Sequence, residues 1–65
     1  MQAIQLTAEH REDQAGNRVA EIEGLPRLGA LLQPAQMRQL ARQLNQIAND
    51  ADQGATGTIQ YPVEG

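Results

Sequence analysis

The order of residue patterns predicts a small α+β fold. A β-hairpin, with room for a third short strand, packs on one long amphipathic helix, and a C-terminal edge strand follows. Three observations carry this prediction. Two stretches near the N-terminus alternate apolar with polar residues. A central stretch repeats its apolar residues at steps of three and four. A last short stretch alternates again but contains a proline. Period two marks a half-buried strand, and a mixed three-and-four period marks a helix with one apolar side.

In residues 2–10, Ile4, Leu6 and Ala8 fall on one face and Gln5, Thr7 and Glu9 on the other. In residues 18–23, Ala20 and Ile22 oppose Val19, Glu21 and Glu23. Gly16 and Asn17, between the stretches, are turn formers, so the pair reads as a hairpin. The pleat constrains the turn further. A one-residue slip moves a whole strand's side chains to the other face. For Ile4, Leu6 and Ala8 to share a face with Ala20 and Ile22, the loop must be odd. Three residues (15–17) or five (13–17) satisfy this; a two-residue turn at Gly16-Asn17 does not.

Gly24-Leu25-Pro26 ends the second strand, because proline removes a ladder donor. Leu28, Leu31 and Leu32 follow closely. Two readings compete here, a short helical turn starting at Pro26 and a third extended piece leading into the long helix; Gly29 and the nearby Pro34 weaken a helix, so the extended piece is preferred. Its leucines exceed what one small sheet face requires. Leu25, Leu28, Leu31 and Leu32 are therefore the candidate dimer interface; covering the end of the chain's own core is the competing use.

The helix spans residues 34–52. Met37, Leu40, Ala41, Leu44, Ile47, Ala48 and Ala51 form its apolar stripe. Pro34 suits the first helical position, where a missing N–H costs nothing. Gln33 is a poor cap, so Pro34 sets the start. Gly54 suits a left-handed C-terminal stop. The polar side carries Arg38 and Arg42 in the first half and Asp50 and Asp52 in the last turn. The helix dipole prefers the reverse order, by roughly 0.3–1 kcal/mol per charge. Arg38, Gln39, Arg42, Gln43 and Gln46 are accordingly the candidate partner-binding face, with a plain solvated face as the competing reading.

After the loop at Gly54 to Gly57, residues 58–63 alternate through Ile59, Tyr61 and Val63. Pro62 confines them to an edge. The pattern leaves open whether this strand pairs within its chain or with a second copy.

Composition narrows the function. The 65 residues make a single domain. A core this small rarely supplies more than about 3–5 kcal/mol without a staple. The usual staples are missing: there is no cysteine for a disulfide or thiolate metal site, and one histidine does not build a zinc site. Neither Phe nor Trp is present, and ten of the apolar residues are alanine. Self-association is the remaining staple, so a homodimer is expected.

The net charge of −3 argues against general affinity for nucleic acid, which needs a basic footprint, and against an anionic membrane surface. Residues 1–13 lack the basic start and apolar run of a signal peptide, and no stretch is long enough to span a bilayer. A cytoplasmic protein is expected. All five bases are arginine, as in a protein from a GC-rich genome.

The chemistry-bearing residues are sparse. His10, Arg11, Glu12 and Asp13, with Glu9 before them, form the densest ionisable cluster. It reads as a solvated loop mouth rather than as an acid–base site. There is no serine or cysteine nucleophile, no phosphate-binding glycine loop and no calcium-loop pattern. No enzyme activity and no cofactor are expected. The function that fits is a small protein-binding or accessory module. Bacteriophage and mobile-element proteins that act on host factors are of this kind. The alternative is a small dimeric DNA-binding regulator, in which Arg38 and Arg42 would read bases. Two strands before one long helix is the wrong order for a ribbon-helix-helix protein.

Overall fold

The computed structural model describes residues 5–62. Strand β1 (Leu6–Glu12), strand β2 (Arg18–Glu23), helix α1 (Pro34–Asp52) and strand β3 (Gly57–Tyr61) follow in chain order. The sheet order is β2-β1-β3, and both pairings are antiparallel. This is the α+β architecture the sequence predicts, with the C-terminal strand at an edge and paired within its own chain. β2 and β3 thus run parallel on opposite edges. The chain must cross the sheet between them, and α1 makes that crossing over one face.

β1 runs to Glu12, two residues beyond the expected end, and Ile4 and Val63 lie outside the described residues. The hairpin register pairs Ala8 with Ile22 and His10 with Ala20, so Leu6, Ala8, His10, Ala20 and Ile22 share the inner face. Residues 13–17 link the strands, the five-residue option of the register argument. The Gly16 N–H donates to the Asp13 carbonyl at 3.0 Å, with Gly16 at φ +84°. Glycine adopts that left-handed geometry without a Cβ clash. The Asp13 carboxylate accepts the N–H groups of Ala15 at 2.9 Å and Asn17 at 2.8 Å. The backbone bond from Asn17, foremost among these, holds the Asp13 carboxyl below its ordinary value.

Past β2 the expected third extended piece is not a strand. The Ala30 N–H donates to the Arg27 carbonyl at 3.0 Å, closing a turn around Gly29 at φ +82°. That turn breaks the extension, and Pro26 offers no N–H for pairing. Gly24, at φ +99°, packs so closely that a Cβ there would run into the Gln5 carbonyl oxygen.

Helix α1 begins and ends where expected. The Gln36 side chain accepts the Gln33 N–H at 2.8 Å, satisfying an end group that Pro34 alone does not. At the other end the Ala55 N–H donates to the Asp50 carbonyl, and the Gly54 N–H to the Ala51 carbonyl, each at 3.0 Å. With Gly54 at φ +86°, this is a Schellman stop.

The core departs from the sequence reading. Leu6, Ala8, Ile47 and Tyr61 are buried, with Ala20, Ile22, Leu40 and Ile59 packed around them. On α1 the buried residues are Ile47 and Gln43. Met37 is 50% and Leu44 37% exposed, and Ala41 and Ala48 are exposed as well. The helix is therefore turned by roughly a quarter turn from the orientation that would centre its apolar stripe on the sheet. Two bonds to β3 account for the turn. The Gln43 side-chain amide donates to the Tyr61 carbonyl at 3.0 Å, and the Tyr61 hydroxyl donates to the Asp50 carboxylate at 2.7 Å. Both Tyr61 groups are in the core, where an unmet polar group costs about 1–3 kcal/mol. Among the described residues, no helix is long and apolar enough to cross a membrane.

Candidate functional site

Two places gather polar side chains: a buried chain of hydrogen bonds and an open groove. The buried chain begins at His10. The solvated-loop reading fails here, because β1 continues past His10 and turns the imidazole inward, leaving it 3% exposed. Its parity with Leu6 and Ala8 is the sequence signal for this. Gly57, its neighbour on β3, has no side chain to fill the space beside it. The His10 ring meets Tyr61 edge-on at 6.1 Å, with Nε2 2.7 Å from the Tyr61 hydroxyl. That hydroxyl gives its one proton to Asp50, so the histidine donates through Nε2–H and the tyrosine oxygen accepts. Nδ1 of His10 is buried and has no hydrogen-bond partner among the described residues.

The chain His10–Tyr61–Asp50 joins β1, β3 and the last turn of α1. Burial foremost, then the hydrogen bond and charge of Asp50, push the Tyr61 hydroxyl up to about 12. Both rings of this chain are enclosed, with His10 3% and Tyr61 2% exposed.

The groove lies on one side of α1. Gln39, Arg42, Gln43 and Gln46 line it, and Pro62 closes it beyond the end of β3. The structure thus brings together four of the five residues chosen for the partner-binding face. Gln43 is the correction within that set. It is 5% exposed, so it forms the floor of the groove rather than part of an outer polar face. Its hold on the Tyr61 carbonyl is the reason. Arg38 stands outside the groove, further round the helix. Neither Arg38 nor Arg42 has an ion-pair partner among the described residues. The cavity measures about 210 Å³, below the range of roughly 300–1,000 Å³ that encloses a small-molecule ligand. It has room for a side chain or a short stretch of chain.

The outer face of the sheet is acidic. Glu9 stands opposite Glu21, and Arg11 pairs with both, at 3.5 Å to Glu9 and in direct contact with Glu21. Arg18 pairs with Glu12 at 3.5 Å. Glu23 lines the same outer face with Glu9 and Glu21. Among the described residues no group of three or more acids and histidines is arranged to hold a metal ion.

The four leucines of the candidate interface have separate fates. Leu28 and Leu31 are fully exposed, Leu25 is about half exposed, and Leu32 is partly buried. No protein-family model, no curated protein and no solved structure matches the chain.

Proposed function

We propose that this chain is a non-catalytic protein-binding module whose groove receives a short extended segment of a partner protein. The observation that carries the reading is the convergence of Gln39, Arg42, Gln43 and Gln46 with Pro62 beside an edge strand. The chemistry follows from the side chains. Amides at Gln39 and Gln46 suit the peptide groups of an extended chain. The Arg42 guanidinium suits a carboxylate, which it binds with two parallel hydrogen bonds. Edge strands also accept extended segments through main-chain bonds.

The burial of His10 and the absence of serine and cysteine from the sequence favour binding over catalysis. The alternative, a DNA-binding regulator, would bring a phosphate backbone toward a molecule with Glu9, Glu21 and Glu23 on its open sheet face, an unfavourable match.

A random-peptide display selection against the immobilised protein tests the reading. The expected result is a family of peptides with a recurrent Asp or Glu, whose affinity drops roughly tenfold on Arg42→Ala. A selection without enrichment, or peptides indifferent to Arg42→Ala and Gln46→Ala, would overturn it. So would salt-dependent retention on random duplex DNA that Arg42→Ala abolishes.

A further inference from the structure

The other side of α1 carries a different surface. Met37, Ala41, Leu44 and Ala48 form an exposed apolar ridge, almost opposite the groove around the helix axis. We propose that this ridge is the seat of a second copy of the chain. The two α1 helices pack antiparallel about a two-fold axis beside Leu44 and Asn45.

Charge order argues for this occupant and this direction. Along one border of the ridge, Arg38, Asn45 and Asp52 follow at steps of seven, the spacing that keeps residues on one flank of a paired helix. A two-fold axis near residue 45 sets Arg38 level with the partner's Asp52, twice over, and Asn45 level with its own copy. A parallel pair would face arginine with arginine and aspartate with aspartate. The charge order that opposes the helix's own dipole thus becomes complementary in an antiparallel pair, whose dipoles also oppose. The axis falls near the middle of Pro34–Asp52, so the helices overlap almost completely. Ala41 comes level with the partner's Ala48, and these small side chains allow the axes to approach closely.

An isologous contact of this kind closes on itself and does not propagate.

Sedimentation equilibrium across a tenfold concentration range, with the intact chain, reads the association. The wild type is expected to be dimeric at micromolar concentration. Leu44→Glu should weaken it roughly tenfold or more, with an unchanged helical circular-dichroism spectrum as the control for folding. Arg38→Glu should weaken it by several-fold, and Arg38→Glu with Asp52→Arg should restore it to within roughly threefold. The absence of cysteine allows a direct test of direction. Asn45→Cys should cross-link with a short bismaleimide. Asn49→Cys should not, because antiparallel packing sets its two copies about 13 Å apart along the axis. A chain that stays monomeric to millimolar concentration overturns the proposal. A dimer that ignores Leu44→Glu, or that cross-links equally at both positions, overturns it as well.

Discussion

The two sides of α1 differ in chemistry and in what they meet. One presents Gln39, Arg42 and Gln46 toward Pro62 and the end of β3, around a small groove. The other presents Met37, Ala41, Leu44 and Ala48 to solvent. Ordinary amphipathic packing would have put the second side against the sheet. The difference shows that an apolar stripe does not by itself set a helix's rotation. Here two hydrogen bonds to Tyr61, from Gln43 and to Asp50, draw a partly polar line of the helix onto the sheet. Apolar area is then left outside on one side of the helix, and polar side chains are left beside the end of β3 on the other.

The strongest test of this picture sits on the line between the two sides. Ile47 is 3% exposed, and its truncation to alanine should cost about 2–4 kcal/mol. That is most of the stability a chain of this size commands, so Ile47→Ala should unfold cooperatively in far less urea. Met37→Ala, at a position half open to solvent, should cost much less. Equal losses at Met37 and Ile47 would mean that the ridge, and not the Gln43–Ile47 line, faces the sheet.

The next effect belongs to the bonds that set the rotation. Tyr61→Phe removes the hydroxyl that joins His10 to Asp50 and leaves both without it, which should cost about 1–3 kcal/mol. The sign of the accompanying pH dependence is fixed. The folded hydroxyl titrates near 12, above its ordinary 10.0, so the folded state favours the protonated form. That stability is fully present below pH 10 and is lost as pH rises toward 12. Tyr61→Phe should lack this alkaline loss. Tyr61 is the chain's single tyrosine, so ultraviolet titration of the folded protein reads the group directly. A midpoint near 10 in the folded protein would remove the buried chain from the account.

These results bear on how far the sequence could be read. The hairpin register follows from the parity of Leu6, Ala8, Ala20 and Ile22, because a pleated strand allows only odd loops there. The helix limits follow from Pro34 and Gly54, whose backbone preferences act locally. The rotation of α1 does not follow from any local pattern. It depends on partners for the carbonyl and hydroxyl of Tyr61, and Gln43 lies eighteen residues from that tyrosine. His10 was hidden for the same reason: its partner is fifty-one residues away, and its charged neighbours in sequence mimic a loop. Within the groove, Gln39, Arg42 and Gln46 were legible as one helix face, while Pro62 entered only through the return of β3.

A smaller effect separates the two sides from one another. Arg42→Ala should reduce peptide capture while leaving self-association within roughly twofold, and Leu44→Glu should do the reverse. Arg42 is exposed, so its replacement should change stability by no more than about 0.5 kcal/mol; Leu44 is 37% exposed, and its replacement should cost less than Ile47→Ala. If either variant impairs both activities, peptide and second copy compete for one surface, and the division of α1 into two sides fails.

The smallest effect should come from the hairpin tip, away from α1. Asp13 organises the turn by accepting the N–H groups of Ala15 and Asn17. Those bonds hold its carboxyl below the ordinary 3.8, so the folded state favours the ionised form. This contribution is present above pH 3.8 and is lost as pH falls through the lower folded value. Asp13→Ala should therefore lower the melting temperature slightly near neutrality, by less than Tyr61→Phe. The difference from wild type should shrink as both are taken toward pH 2. The residue is fully exposed and touches neither side of the helix, so peptide capture and dimer formation should both survive the change. A loss of either on Asp13→Ala would mean that the hairpin tip governs the helix surfaces, and their contrast would then belong to the whole sheet rather than to the rotation of α1.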